Sequence, residues 1–294
     1  MLGEIRGEVR FKEPLSFHTS LRIGGSADIF IVPQDVEDIR LALSFAEREQ
    51  LSLDVIGGGN NLLVSDRGVR GVVLKLEGCL GRAEFNGEEA VAGAGVSLSA
   101  LIREAAALNL GGIECLVGVP ATVGGAVAMN AATLDGGIAD FISAVYFLYP
   151  DGTLGEFKPG AGGSFSYNVF TPPARSVLIG ARLQLHRRPF AEIQKDIKQR
   201  LKLKKSTQPL ALASVGCVWK NPPGETATRL IEKVGLKGKR LNGAEISAKH
   251  ANFIVNRGGA AAVDIKALMQ LTLDRVRNHF GITLEPEMKT LGEI

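Results

Sequence analysis

The stretch Gly118–Ala132 reads GVPATVGGAVAMNAA and gathers glycines and alanines around Thr122 and Asn130. A second glycine-rich stretch, GGGNNLL (Gly57–Leu63), directly follows a short apolar segment that predicts a strand. Glycine allows positive φ angles and lets backbone N–H groups approach a ligand, and successive N–H groups form anion-binding concavities. Tight turns would explain either stretch alone. Together they favour a large, phosphate-bearing cofactor between two modules, although neither stretch matches a Walker or GxGxxG fingerprint.

The composition excludes several classes of protein. The chain has 294 residues, 45% hydrophobic and 22% charged, with a net charge of +3, which suits a globular protein without a nucleic-acid footprint. Its three cysteines are far apart and its four histidines have no metal-ligand spacing. The beginning, MLGEIRGEVRFKEP, has no apolar signal-peptide core. We therefore expect a cytoplasmic protein with no metal site, no membrane insertion and no nucleic-acid partner, and we predict no protein partner.

The hydrophobic pattern alternates between strand-like and helix-like segments and predicts an α+β fold. A strand at Ala27–Val32 precedes a helix that begins near Val36. After Pro189 the composition shifts to a charged amphipathic helix. The last helix is expected to have Asp264 as its N-cap and Gly281 as its end. We predict three modules, at residues 1–78, 79–189 and 190–294.

Cys217 lies in the stretch SVGCVWKNP, and its residue type leaves several roles open. A free cysteine is often a small buried side chain, but it can also be a nucleophile, a metal ligand or a proton donor. The flanking Gly216 and the following Lys220-Asn221-Pro222 favour a loop position. An unperturbed thiol is mostly protonated at neutral pH, so it can donate a proton.

Six segments, in this order, resemble the family of UDP-N-acetylenolpyruvoylglucosamine reductases. They are TSLRIGGSAD, IGGGNNLLVSD, GVPATVGGAVAMNAA, GCVWKNP, LIEKVGLKGKRLNGAEISAKHANFIVN and LEPEMKTLG. The resemblance extends from about Thr19 to Gly292, and the short spacing in the last third resembles the branch that lacks an extra substrate-covering loop.

The resemblance implies a fold and a reaction. Residues 1–78 and 79–189 would be the two parts of an FAD-binding domain of the vanillyl-alcohol-oxidase-like type, and 190–294 an α+β domain that binds the UDP sugar. NADPH would reduce the FAD. The flavin N5 hydride and a proton would then reduce UDP-N-acetylglucosamine enolpyruvate to UDP-N-acetylmuramate for peptidoglycan synthesis.

The resemblance also implies roles for individual residues. Cys217 takes the position of a proton donor that is usually serine, and Glu287 that of the catalytic glutamate. The implied cofactor-binding residues are Gly57, Gly58, Gly59, Asn60, Asn61, Leu62, Pro120, Ala121, Thr122, Gly124, Gly125 and Ala126. The implied substrate-binding residues are Tyr167, Lys220, Asn221 and Lys289.

One position departs from the family pattern. The family usually has arginine after the tyrosine that corresponds to Tyr167, whereas this chain has Asn168. A neutral side chain offers no cationic fork to a carboxylate. Either a nearby cation replaces the arginine, with Arg175 as the candidate, or the reaction is slower, or the corresponding position is a different one. Two alternatives remain open: an FAD-dependent oxidase of the same superfamily with another substrate, and a UDP-sugar-binding protein with impaired catalysis.

Overall fold

The computed structural model describes residues 2–159, 173 and 175–293. Tyr167 and Asn168 lie outside the described residues. In the described ranges the α-helices are α1 (Val36–Arg48), α2 (Leu98–Ala107), α3 (Val123–Ala128), α4 (Phe190–Thr207), α5 (Ala227–Lys233) and α6 (Ala262–Phe280). None of these helices combines the length and the apolar composition that crossing a bilayer would require.

Most strands form antiparallel sheets. The strands are β1 (Glu8–Pro14), β2 (Ser26–Val32), β3 (Leu53–Ile56), β4 (Leu62–Val64), β5 (Val69–Lys75), β6 (Ala83–Asn86), β7 (Glu89–Gly93), β8 (Leu110–Gly111), β9 (Ala132–Thr133), β10 (Gly136–Gly137), β11 (Ile142–Leu148), β12 (Leu154–Phe157), β13 (Val177–Gln184), β14 (His186–Arg187), β15 (Ala213–Cys217), β16 (Arg240–Leu241), β17 (Ala244–Ile246), β18 (Phe253–Asn256) and β19 (Lys289–Leu291). The larger sheets have the orders β12-β11-β13-β7-β6, β1-β2-β5-β3 and β15-β18-β17-β16. Parallel pairing joins β3 to β5 and β19 to β4.

The chain divides into two compact units. Unit 1 comprises Met1–Phe11, Ile29–Gly58 and Gly71–Leu203, and unit 2 comprises Lys12–Asp28, Gly59–Arg70 and Lys204–Ile294. Two segments from the first quarter of the chain, 12–28 and 59–70, thus group with the C-terminal part. The division into domains at 1–78, 79–189 and 190–294 stays a prediction.

The core of unit 1 lies around its five-stranded sheet. Ala92, Val145 and Ala181 of neighbouring strands are fully buried. Helix α3 lies against β13 and β7. Its residue Gly124 is so close to β7 that a Cβ there would lie 2.8 Å from the Cβ of Ala94. Only glycine permits this packing, which explains one of the glycines in the first quoted stretch.

The core of unit 2 joins its antiparallel sheet to α5 and α6. Ile265, Leu268 and Val276 recur on the buried face of α6. Trp219 and Met288, which neighbour the predicted catalytic residues, belong to the same core. Packing of these apolar neighbours therefore holds the segments of Cys217 and Glu287 in one unit.

The start of α6 differs from the prediction. The N-cap is Ala261, and Asp264 lies three residues later, where its carboxylate accepts from the N–H of Ala261 at 2.9 Å. Asp66 supplies the remaining cap: its two oxygens accept from the N–H groups of Ala262 and Val263, at 2.8 and 3.1 Å. The prediction for Asp264 was wrong because a carboxylate from a distant segment occupies the cap. The end is confirmed, since Gly281 has a φ of 70°.

We predict that Asp66→Ala destabilises the protein by about 1 kcal/mol, because the first N–H groups of α6 lose their acceptors. The measurement is the urea midpoint of unfolding. Asp274→Ala is the matched control: its exposed carboxylate on the same helix accepts a hydrogen bond from the side-chain amide of Gln270, at 3.0 Å. Equal midpoints for the two variants would contradict a capping role for Asp66.

Candidate active site

Cys217 is placed by a β-bulge at the end of β15. The ladder with β18 pairs Ser214 with Val255 and then Cys217 with Phe253, so β15 contains one extra residue. Gly216, inside this bulge, has a φ of +83°, a conformation that L side chains rarely adopt. The bulge determines which face of the strand carries the thiol, and it explains why glycine precedes the cysteine.

The backbone of Glu287 is hydrogen-bonded on both sides. Its N–H donates to the carbonyl of Val218 at 2.8 Å, and its carbonyl accepts from Nδ2 of Asn61 at 3.2 Å. A further bond, from the N–H of Lys220 to the carbonyl of Glu285 at 2.9 Å, joins the same two segments. The predicted proton donor and the predicted catalytic glutamate are therefore neighbours within unit 2.

Burial shifts the pKa values of both groups. It raises the pKa of the Glu287 carboxyl to about 7, although the Lys220 ammonium opposes the shift. Burial, with a smaller contribution from the Glu287 charge, raises the pKa of the Cys217 thiol to about 12. Hydrogen bonding to Asn252 and the charge of Lys204 oppose that shift. At neutral pH the site thus holds a protonated thiol beside a carboxyl group that is about half ionised.

Within unit 1 the two glycine-rich stretches meet. A Cβ at Gly57 would lie 2.5 Å from Oγ1 of Thr122. That hydroxyl also accepts from the N–H of Gly125 at 3.2 Å. Gly57, Gly58, Gly124 and Gly125 are all partly exposed, so a ligand can approach backbone without side chains at these points. This bare backbone fits a cofactor that carries phosphates.

The rest of the GGGNNLL stretch, from Gly59 onward, lies in unit 2 and has a structural role. Gly59 has a φ of +64°, and a Cβ there would lie 1.9 Å from the carbonyl oxygen of His18, so only glycine fits. Asn61 holds the C-terminal strand: its carbonyl accepts from the N–H of Lys289 at 3.0 Å, and its side chain bonds to Glu287. At Leu62 the strand β4 begins. Cofactor binding by Gly59, Asn60, Asn61 and Leu62 stays a prediction.

The predicted substrate-binding residues have different surroundings. Nζ of Lys220 lies 3.3 Å from Oε2 of Glu285. Oδ1 of Asn221 accepts from the N–H of Ala227 at 3.0 Å, in the first turn of α5. Lys289 is exposed. The three lie on the same segments as Cys217 and Glu287, and substrate binding by them stays a prediction.

Arg175 belongs to unit 1, where its guanidinium pairs with a carboxylate. Its Nη1 donates to Oε1 of Glu47 at 2.9 Å, and 79% of its side chain is exposed. Exposed pairs of this kind contribute little to stability, so the pair does not hold the guanidinium firmly. Replacement of the missing family arginine by Arg175 stays a prediction.

Sequence reasoning missed Asn252. Its side chain is buried and bonds to the backbone of Trp219 at 2.9 and 2.8 Å. The signal was present, since a polar residue stands in the apolar run ANFIV, but its partner Trp219 is 33 positions away in the chain. Among the described residues, no cluster of His, Cys, Asp and Glu could hold a metal ion.

Comparison with sequence families gives two matches. A family described as FAD binding domain matches residues 27–158. The family described as UDP-N-acetylenolpyruvoylglucosamine reductase, C-terminal domain, matches residues 208–291. The two matches together include both glycine-rich stretches and the segments of Cys217 and Glu287.

Whole-chain relatives carry the same name. A UDP-N-acetylenolpyruvoylglucosamine reductase of Anaeromyxobacter sp. is 43% identical over 98% of this chain and 90% of its own length. The enzyme named UDP-N-acetylenolpyruvoylglucosamine reductase 2 of Symbiobacterium thermophilum is 40% identical over 97% of this chain and 93% of its own.

Solved structures also resemble this chain. The crystal structure of UDP-N-acetylenolpyruvylglucosamine reductase from Thermus caldophilus has a TM-score of 0.82 at 35% identity, over 98% of this chain and 99% of that chain. A solvent-stable cholesterol oxidase, 17% identical over 63% of this chain and 38% of that chain, has a TM-score of 0.51 and shares the fold alone. The predicted combination of a vanillyl-alcohol-oxidase-like FAD-binding domain with an α+β C-terminal domain is confirmed.

We predict that Glu287→Gln stabilises the protein at pH 8 but not at pH 4.5. The folded pKa of Glu287, about 7, lies above its ordinary value of 4.5, so its contribution to stability is complete below about 4.5 and is lost as the pH rises through 7. This shift corresponds to roughly 3 kcal/mol at most. The measurement is the unfolding midpoint of both proteins from pH 4.5 to 8.5.

Glu285→Gln is the control for this titration, because 74% of the Glu285 side chain is exposed. It should give no comparable gain at high pH. A constant difference between Glu287→Gln and the parent protein across the pH range would show that Glu287 has an ordinary pKa.

Proposed function

The chain belongs to the UDP-N-acetylenolpyruvoylglucosamine reductase family, and from this premise we propose that Cys217 donates the proton while Glu287 supports the charge that forms on the substrate. The enzyme is an FAD-dependent oxidoreductase of peptidoglycan synthesis. In our proposal its reductant is NADPH and its substrate is the enolpyruvyl ether of UDP-N-acetylglucosamine. The three free cysteines suit the reducing cytoplasm, where we place the reaction.

The glycine-rich stretches are the proposed cradle for FAD. In unit 1 the partly exposed backbone of Gly57, Gly58, Gly124 and Gly125 would hold the cofactor, together with Pro120, Ala121, Thr122 and Ala126 of the same stretch. Bound there, FAD would supply the hydride, received from NADPH, for the vinyl carbon of the substrate.

Adjacency of Cys217 and Glu287 is the observation that carries the proposal. The 2.8 Å bond between Glu287 N–H and the Val218 carbonyl fixes the two segments side by side. Hydride addition leaves an electron pair on the carbon next to the substrate carboxylate. That carbon takes the proton of the Cys217 S–H bond, and the sulfur retains the bonding pair as a thiolate. Because its pKa is about 12, the thiol is protonated at neutral pH.

Glu287 and the polar residues around it would handle the substrate. A carboxyl group with a pKa of about 7 can donate a hydrogen bond while protonated, which supports negative charge on the substrate better than a carboxylate does. Lys220 and Lys289 would supply positive charge for phosphate or carboxylate groups. Asn221 would use its amide N–H groups, because its oxygen accepts from the N–H of Ala227. Tyr167 completes the proposed set and lies outside the described residues.

The proposed donor predicts a selective defect. We expect Cys217→Ala to slow reoxidation of the reduced flavin by the enolpyruvyl UDP sugar on the order of 10²–10⁴-fold, and to leave flavin reduction by NADPH unchanged. Cys217→Ser should restore much of the rate, since a hydroxyl can also donate a proton. The measurement is anaerobic stopped-flow absorbance of the flavin band in each half-reaction.

Cys79→Ala is the control, since Cys79 is another free thiol, buried in the core of unit 1. It should leave both half-reactions at the parental rate. Normal reoxidation in Cys217→Ala would exclude Cys217 as the donor. Reduction by NADPH without any reoxidation in the parent protein would instead contradict the proposed substrate.

A further inference from the structure

Asn252 holds the segment that follows Cys217 through three hydrogen bonds. Its Oδ1 accepts from the N–H of Trp219 at 2.9 Å, and its Nδ2 donates to the carbonyl of Trp219 at 2.8 Å. Its own carbonyl accepts from the N–H of Val218 at 2.8 Å. With 3% of its surface exposed, the residue makes these bonds out of contact with water. Buried bonds of this kind are costly to lose, so the segment has a fixed position.

The Asn252 amide takes the place of a strand partner. Pairing between β15 and β18 ends at Cys217 and Phe253, where β18 begins. Beyond this point Trp219 is buried, and its backbone N–H and carbonyl need partners. A carboxamide offers one acceptor and one donor at the spacing of a peptide group. Aspartate would lack the donor, and alanine would lack both groups.

The same amide also affects the thiol. The Asn252 side chain acts to lower the pKa of the Cys217 thiol, against the larger effect of burial, and so favours the thiolate form. Nδ2 has two hydrogens, so it can serve both Trp219 and the sulfur. At Gly216, directly before Cys217, an added Cβ would have no atom within 4 Å. Packing around the bulge therefore gives the thiol little support. Asn252 is therefore a buried side chain that fixes the backbone directly after Cys217 and favours its thiolate form.

We propose that Asn252 is a positioning residue for proton transfer, which orients the Cys217 thiol and stabilises the thiolate that remains when the proton has left. The inference rests on the proposed function, because it requires Cys217 to be the donor. The S–H bond breaks, a C–H bond forms on the substrate, and the sulfur keeps the electron pair until water protonates it again. Asn252 does not itself exchange a proton.

The first test measures both half-reactions of the FAD-loaded enzyme in H₂O and D₂O. We expect Asn252→Asp and Asn252→Ala to slow flavin reoxidation on the order of 10²-fold, with flavin reduction by NADPH unchanged. The solvent isotope effect on reoxidation should increase, because protonation becomes the slow step. A residue with only a structural role would lower stability without changing the isotope effect.

Asn256→Ala, at the far end of β18, is the matched control. The Asn256 amide donates to the carbonyl of Leu21 at 3.0 Å and accepts from the N–H groups of Gly258 and Ala260, at 2.8 and 3.3 Å. The Asn256→Ala variant therefore loses about as many side-chain hydrogen bonds as Asn252→Ala, and none of them is to the segment of Cys217. We expect a lower unfolding midpoint with an unchanged isotope effect.

A double-mutant cycle separates the two proposals. In a Cys217→Ala background, Asn252→Ala should cost no further activity, since no thiol remains to be oriented. If Cys217→Ala slows reoxidation and Asn252→Ala slows it equally in both backgrounds, Asn252 has only a structural role and the inference is overturned. If Cys217→Ala alone leaves reoxidation normal, Cys217 is not the donor and the proposed function is contradicted. Because the cycle uses Asn252→Ala, it also tests the role of Asn252 if Asn252→Asp fails to fold.

Discussion

The backbone of Glu287, bonded to Val218 on one side and to Asn61 on the other, is the constraint on which the site in unit 2 depends. These bonds join three segments that are far apart in the chain. They bring the segment of the carboxyl group beside the segment of the thiol, and the parallel pairing of β19 with β4 continues directly after it. Because a strand slip by one residue turns every side chain to the other face, a few backbone bonds decide whether the two groups meet.

Burial then gives the two groups their chemistry. A carboxyl group and a thiol in water would have pKa values several units apart and would not influence each other. At this partly buried site the pKa values of both groups are raised, and the charge of Glu287 raises the pKa of Cys217 further. The pair is suited to giving a proton to a basic carbon and unsuited to nucleophilic attack, which needs a thiolate. These surroundings support our proposal that the cysteine is a proton donor.

Several features of the fold could be predicted because they are local. The strand at β2, the helix α1 and the end of α6 at Gly281 follow from periodicity and from the conformational freedom of glycine. The start of α6 could not be predicted, because its cap is Asp66, almost 200 positions earlier in the chain. For the same reason the grouping of residues 12–28 and 59–70 with the C-terminal part has no local signal.

The sequence alone determined the family, the need for a flavin and the two residues that we assign to proton transfer and charge support, since those depend on ordered motifs and residue types. Only the tertiary structure decided that Asn61 holds Glu287 and that Asn252 bonds to the backbone of Trp219. An amide has the same composition whether it meets a cofactor, a substrate or a backbone. Which of these it meets depends on bulges and register, and long-range packing determines both.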